Sequence, residues 1–303
     1  MRLNSAAKQI FVGGVHRSGT TLVQRIMGSH SEIYAGREFD FTKDIAALRR
    51  RLHGGHESGR IADLVNKDDI DKAVESFTMK LFERALRESG KTILCEKTPT
   101  NALVMADLCE CMPNAYCILV LRDPRAIVAS NKEVARKYFA EGLRPPSFCA
   151  SVSASIKDIN ETWRKGLAAA EKYDRVKAIL YEDLIANPER VVRDICQFVG
   201  LDYEEGMVRP APLEDRQNHV SDQFWYTKEE LAKPISDNSL EKYKQILSPS
   251  EITLVERFVV SYPLVQHYGI GQQSPSFLDH CAMLWSKFNA LKIIQKIRAR
   301  LRC

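Results

Sequence analysis

The sequence predicts an α/β fold, a central parallel sheet flanked by helices. Three observations predict it. Short apolar runs alternate with helix-patterned stretches as far as residue 199. The runs are nearly continuous in apolar residues, the mark of parallel strands covered on both faces. The first run also feeds straight into a Gly-rich turn, "GGVHRSGTT" (13–21), which has the outline of a phosphate-binding loop between strand and helix. Strand–helix alternation with such a loop implies a P-loop-like, three-layer arrangement.

The expected strands are "QIFVGGV" (9–15), "TILCEK" (92–97), "AYCILVLRD" (115–123) and "VKAILYEDL" (176–184). The expected helices cover 20–30, 69–89, 100–111, 125–139, 150–173 and 188–199. Ligands of such sheets bind beyond the carboxyl ends of the strands. Four features fall there: the loop after Val15, Lys97, Arg122 and Tyr181. Region 203–237 carries Pro210, Pro212 and Pro234 with scattered charge and few apolar repeats. It reads as an irregular excursion, either a lid over an acceptor or a plain surface loop. In 284–303, Leu284, Phe288, Leu291, Ile294, Ile297 and Leu301 recur at helical spacing among Lys and Arg. This is a basic amphipathic helix. It is expected to dock on the body or on a second subunit, with peripheral attachment to an anionic membrane as the alternative. The expected organisation is one main domain over 1–270 and an extension over 271–303.

Composition narrows the class. The chain has 303 residues, 45% hydrophobic and 27% charged, as a folded globular protein does. No apolar stretch approaches the roughly 20 residues of a membrane span. The start "MRLNSAAK" leads directly into the first strand and does not read as a secretory signal. The eight Cys form no C-x-x-C pair and no Cys/His zinc pattern, so a reducing, cytoplasmic setting without a metal is expected. The net charge of +5 suits an anionic ligand without singling out nucleic acid.

The loop carries the chemistry. Gly14 and Gly19 stand at the spacing of G-x-x-x-x-G-K-[ST], but Thr20 replaces the lysine. Backbone N–H groups and a helix N-terminus favour an anion here. Ser18, Thr20 and Thr21 add hydroxyl donors, and Arg17 adds a charge that binds two oxygens at once. The bland alternative is a Gly-rich turn before a Ser/Thr-capped helix. In "VLRDPRAIVASN" (120–131), Arg122 and Ser130 are placed to hold a second phosphate, with Asp123 as N-cap and Pro124 at the first helical position. Two separated anion sites and the planar Tyr181 point to a nucleotide with phosphates on both sides of its ribose.

"GGVHRSGTTL", "LRDPRAIVAS" and "YEDLIANPER" resemble the nucleotide-binding segments of sulfotransferases that use 3′-phosphoadenosine 5′-phosphosulfate (PAPS). The run "GGVHRSGTTLVQRIMGSHSEIYAGRE", then "CEKTP" (95–99), "KP" (233–234) and "SLEKY" (239–243), is most similar to the tyrosylprotein branch. The resemblance covers roughly 9–265. It implies a loop that holds a phosphosulfate without Mg²⁺, so the missing lysine is no defect. It implies Arg17 beside the bridging oxygen, whose growing charge a cation stabilises. It assigns Arg122 and Ser130 to the 3′-phosphate, Tyr181 to nucleotide contacts and Lys242 to phosphate. Gly19, Ser18, Thr20 and Thr21 belong to the loop that binds it.

The same resemblance makes Glu38 the general base, with His16 as rival and an ion pair of Glu38 with Arg37 as the bland reading. Lys97 becomes a transition-state-stabilising cation. Ser221 is the expected catalytic hydroxyl; the longer stretch before Lys233 leaves Thr227 as its alternative. The expected reaction moves a sulfuryl group from PAPS to an acceptor hydroxyl. Protein tyrosine is the nearest resemblance, and carbohydrate, lipid and small-molecule hydroxyls stay open. A P-loop nucleotide kinase and a non-catalytic nucleotide-binding protein are the rival functions.

Overall fold

The computed structural model describes residues 8–210, 240–259 and 267–270, together with Ser276, Asp279 and Met283. Its described residues form two compact units. The first comprises 8–15, 19–121 and 162–210; the second comprises 16–18, 122–161 and the described residues from 240 onward.

The first unit is built on a five-stranded sheet, all of whose pairings are parallel. The strands are β1 (Gln9–Gly14), β2 (Ile33–Ala35), β3 (Ile93–Lys97), β4 (Ala115–Leu121) and β5 (Val176–Leu180), in the order β2-β3-β1-β4-β5. Every residue of β1 and β3 is buried, including the polar Gln9, Glu96 and Lys97 at the ends of their apolar runs. Gln9 pairs with Leu94 on one side and Ala115 on the other, which places β1 at the centre. The chain leaves β1 toward β2 and leaves β4 toward β5. The carboxyl ends of β1 and β4 therefore flank the point where the connections diverge, the place where open α/β sheets take ligands.

Helices α1 (Thr20–Gly28), α2 (Thr42–Glu57), α3 (Lys67–Ser89), α4 (Met105–Cys111), α7 (Tyr181–Ala186) and α8 (Pro188–Val199) complete this unit, with the residues of α6 (Val152–Lys172) from Thr162 onward. Asn66 caps α3 by accepting the Asp69 N–H at 2.8 Å, and Gly90 closes it at φ 67°. A 3₁₀ turn, Pro99–Leu103, follows β3. It packs so closely on β1 that a Cβ at Gly13 would lie 2.4 Å from the Ala102 nitrogen. Only glycine fits there.

The second unit holds α5 (Pro124–Ala140), the first half of α6, and the short helices α9 (Tyr243–Ile246) and α10 (Pro249–Phe258). Asp123 accepts the Arg125 N–H at 2.8 Å and caps α5, with Pro124 at its first position, as expected. A reciprocal Ser248–Glu251 capping box starts α10. Lys132 on α5 donates to Glu251 at 2.6 Å, and Asn160 donates to the Phe258 carbonyl at 2.9 Å.

Strand β2 and helices α2, α7, α9 and α10 were not expected. β2 has three residues, too few for a periodicity to register. In α2 only Thr42, Ala46 and Arg49 are buried, so its inner stripe is hardly apolar. Arg49 is held there by Asp71 at 2.7 Å and Glu110 at 2.9 Å. The run read as a strand over 176–184 stops at Leu180, and Tyr181 opens α7. The expected region 203–237 and the C-terminal helix 284–303 fall largely or wholly outside the described residues. No described helix is long and apolar enough to cross a membrane.

Candidate active site

In the first unit the loop enters α1 at Gly19, whose φ of 99° is left-handed backbone that favours glycine. The Tyr181 ring lies directly against it, so a Cβ at Gly19 would sit 2.3 Å from Cδ2 of that ring. A glycine cannot cap a helix with a side chain, and α1 has no side-chain cap and no acidic residue in its first turn. Its N-terminus thus keeps the positive end of the helix dipole for a ligand. Thr20 and Thr21, the first two helical residues, are both buried.

Lys97 ends β3 with its side chain only 4% exposed, and its Nζ donates to Glu38 Oε1. Glu38 is 48% exposed, so one end of this pair faces solvent. The neighbouring Glu96 is buried and accepts three hydrogen bonds: from Thr98 Oγ1 at 2.7 Å, Asn101 Nδ2 at 2.5 Å and the Phe39 N–H at 3.0 Å. Burial pushes its carboxyl above the usual range, against the opposing effect of those donors.

In the second unit Arg17 has a left-handed φ of 72°, an uncommon conformation for a residue with a side chain. Two contacts brace it. Arg17 Nε donates to Ser130 Oγ at 2.9 Å, and Arg122 Nη1 donates to the Arg17 carbonyl at 2.9 Å. These three residues, expected at two separated anion sites, form one cluster, with Arg122 8% exposed. Ser18 is fully buried, and its Oγ has no hydrogen-bond partner among the described residues. A buried, unsatisfied hydroxyl in a loop of this type fits an anion. His16 stacks on Phe148 at 3.8 Å and its Nδ1 lies 3.3 Å from Asp158, which ties it into this unit. The Asp123 carboxylate at the N-terminus of α5 is paired with Arg125 at 2.7 Å, and Arg122 adds a further cation to this segment.

The remaining expected residues are paired with other groups or fall outside the described chain. Lys242, at the start of α9, pairs with Glu133 at 2.8 Å and is about half exposed. Ser221 and Thr227 fall outside the described residues. No cluster of three or more His, Cys, Asp or Glu side chains suited to a metal occurs among the described residues. Six cysteines in the described chain are free and buried; burial pushes the Cys149 thiol up to about 12 and Cys196 up to about 11. Those two thiols stay protonated and are poor nucleophiles.

The sequence model of the sulfotransferase family matches residues 9–205. The chain belongs to the sulfotransferase family. The chain is 26% identical over 237 residues to protein-tyrosine sulfotransferase 1 of Danio rerio, covering 77% of the chain and 65% of that protein. Protein-tyrosine sulfotransferase A of Caenorhabditis elegans is 27% identical over 246 residues, covering 79% and 62%. The chain thus spans less than two thirds of the length of these relatives. Among solved structures, the sulfotransferase domain of the curacin biosynthetic pathway superposes with a TM-score of 0.56 at 16% identity, covering 89% of this chain and 99% of that one. The sulfotransferase domain of the Synechococcus PCC 7002 olefin synthase gives 0.54 at 19% identity, covering 84% and 95%. At these identities the two structures speak to the fold alone.

Glu96, Thr98 and Asn101 were missed as site residues. Their signal is a polar run, "EKTPTN", that begins within a buried strand and continues just past it. Strand interiors rarely hold an acid unless it has partners.

Proposed function

We propose that this sulfotransferase moves a sulfuryl group from PAPS to an acceptor hydroxyl, and that the acceptor is the phenol of a protein tyrosine. The observation that carries the reading is the Lys97–Glu38 pair, a buried cation bonded to a half-exposed carboxylate. Transfer to a phenol needs a base for the acceptor proton and a cation for the charge that builds on the leaving phosphate oxygen. Glu38 and Lys97 are those two groups, already in contact. The similarity to protein-tyrosine sulfotransferases supports the choice of acceptor.

PAPS supplies an activated sulfuryl group on a 5′-phosphate. The uncapped start of α1, with Thr20 and Thr21, suits the 5′-phosphosulfate, and so does the unpartnered Ser18 hydroxyl. Arg17 is assigned to the bridging oxygen, Arg122 and Ser130 to the 3′-phosphate, and the Tyr181 ring to nucleotide contacts. Lys242 is the weakest of these assignments, because Glu133 already engages it. Ser221 remains the proposed catalytic hydroxyl. We further propose a main domain over 1–270 and an extension over 271–303, in a cytoplasmic protein.

Glu38 takes the phenolic proton as the oxygen attacks sulfur. The S–O bond to the 5′-phosphate breaks, and the departing oxygen carries its electron pair into the field of Lys97. Adenosine 3′,5′-bisphosphate leaves. The test is transfer of label from [³⁵S]PAPS to a tyrosine-containing peptide, with the Tyr→Phe peptide as control. Label on the tyrosine peptide alone supports the reading. Label that reaches only an oligosaccharide or a small alcohol overturns the tyrosine acceptor and leaves the transfer.

A further inference from the structure

We infer that Glu96 is a positioning residue, whose buried carboxylate fixes the backbone that carries Glu38. The inference rests on the reading of Glu38 as the base, and it concerns a side chain to which that reading gives no task.

Segment 38–42 is joined to residues 96–101 by hydrogen bonds at successive positions. The Phe39 N–H donates to Glu96 Oε1 at 3.0 Å. The Asp40 N–H donates to Thr98 Oγ1 at 3.1 Å, and the Thr98 hydroxyl donates in turn to the same Glu96 oxygen at 2.7 Å. Thr42 Oγ1 donates to Asn101 Oδ1 at 2.5 Å, while Asn101 Nδ2 donates to Glu96 Oε2 at 2.5 Å and to the Val12 carbonyl at 3.1 Å. Glu96 is thus the common acceptor of a network that ties the 38–42 segment to β3 and β1.

The chain path explains why an acceptor is required. Asp40 has a φ of 63°, left-handed backbone that is uncommon outside glycine although Asp tolerates it better than most residues. The Phe39 ring lies 4.8 Å from that of Phe82 on α3, which anchors one side of the bend. Glu96 and Lys97 are consecutive strand residues and project to opposite faces. One grips the Phe39 amide and the other the Glu38 carboxylate. Glu38 itself is half exposed, so packing alone does not hold it.

A carboxylate 2% exposed is costly unless its oxygens are engaged. Charge-assisted bonds to an N–H, a hydroxyl and an amide satisfy it and are stronger than bonds between neutral groups. An aliphatic residue would suit the strand interior better, so its engagement with segment 38–42 gives the acid a purpose. Misplacing a reacting group by about 1 Å costs on the order of 10²-fold in rate.

The test compares Glu96→Met, which keeps the volume and removes both acceptor oxygens, with Glu96→Gln, which keeps one oxygen for the Phe39 N–H. Native-state hydrogen exchange is read at Phe39 and Asp40. Turnover uses [³⁵S]PAPS with a tyrosine peptide, and affinity is measured for adenosine 3′,5′-bisphosphate. In Glu96→Met the Phe39 amide should exchange about 10-fold faster or more. Its turnover should fall about 10²-fold with unchanged nucleotide affinity, and Glu96→Gln should recover most of both. Glu96→Met should also add little to the loss in Glu38→Gln, since the two act through one group.

Should Glu96→Met fail to fold, Thr98→Val removes the acceptor of the Asp40 N–H and must raise exchange there and lower turnover. Wild-type turnover in Glu96→Met beside an inactive Glu38→Gln overturns the inference alone. So does Glu96→Gln as damaged as Glu96→Met. Wild-type turnover in Glu38→Gln overturns the base assignment, and this inference with it.

Discussion

Replacing Lys97 with Met separates what the lysine does for the fold from what it does for the reaction. The lysine side chain is 4% exposed and its carboxylate partner 48% exposed. Removing one member of a fully buried pair costs several kcal/mol, because the other charge is left without water. Here the charge left behind is Glu38, which solvent reaches, so that penalty does not arise. Met matches the lysine stem and needs no desolvation. The expected stability change is therefore that of an exposed pair, within about 1 kcal/mol. The effect on the reaction should be larger. Losing one preorganised electrostatic donor costs about 10²–10³ in turnover, or roughly 2.7–4 kcal/mol. Three measurements decide: the urea midpoint, calorimetric affinity for adenosine 3′,5′-bisphosphate, and label transfer from [³⁵S]PAPS. The reasoning requires a near-normal midpoint, near-normal affinity and the full loss of rate. If affinity weakens as much as turnover falls, Lys97 is a ground-state ligand and its assigned role is wrong.

Other consequences are open to direct measurement. Adenosine 3′,5′-bisphosphate at about 100 times its Kd should stabilise the protein by roughly 2.7 kcal/mol, exceeding AMP and ATP at equal concentration; Arg122→Ala should erase the preference over AMP, and equal stabilisation of the wild type by AMP refutes the 3′-phosphate site. Gly19→Ala forces a side chain into left-handed backbone and onto the Tyr181 ring, and should lose at least about 1–3 kcal/mol in urea unfolding; a neutral result would mean that the ring does not pack there. Glu96 titrates above its unfolded value of about 4.3. The native state therefore holds that proton more tightly, and the stability it contributes is complete below about pH 4.3 and lost as pH rises through the native pKa. Wild-type stability measured relative to Glu96→Gln should thus decline as pH rises from about 4, and a flat or rising difference contradicts the assigned direction.

Four of the five strands were legible because they are largely apolar runs, and the loop because Gly13, Gly14 and Gly19 close or follow the first of them. Asp123 and Pro124 were legible as a helix start because capping is local chemistry. What failed to register was carried by contacts distant in sequence. Arg17 and Ser130 are 113 residues apart, and nothing local says that they bond. Lys97 and Glu38 were each singled out, but the one partner weighed for Glu38, as the bland alternative, was its neighbour Arg37, whereas the fold supplies a strand end 59 residues away. Helix α2 escaped notice because its buried stripe includes Arg49, neutralised by acids on α3 and α4. Lys242 was assigned to phosphate by resemblance, and its pairing with Glu133, one turn beyond Ser130 on α5, could not be read from sequence because the two lie 109 residues apart. Glu96 was passed over because a lone acid in an apolar run carries no periodic signal; only the fold brings the Phe39, Thr98 and Asn101 donors to it.

The measurement that tests the central claim most directly is label transfer from [³⁵S]PAPS to a tyrosine peptide, in a metal chelator, by wild type and Glu38→Gln side by side. The account predicts metal-independent transfer to the phenol by the wild type. It predicts a loss of about 10²–10⁴ in rate for Glu38→Gln, with affinity for adenosine 3′,5′-bisphosphate retained. Equal transfer by the two proteins, or wild-type activity that appears only with ATP and Mg²⁺, would contradict it.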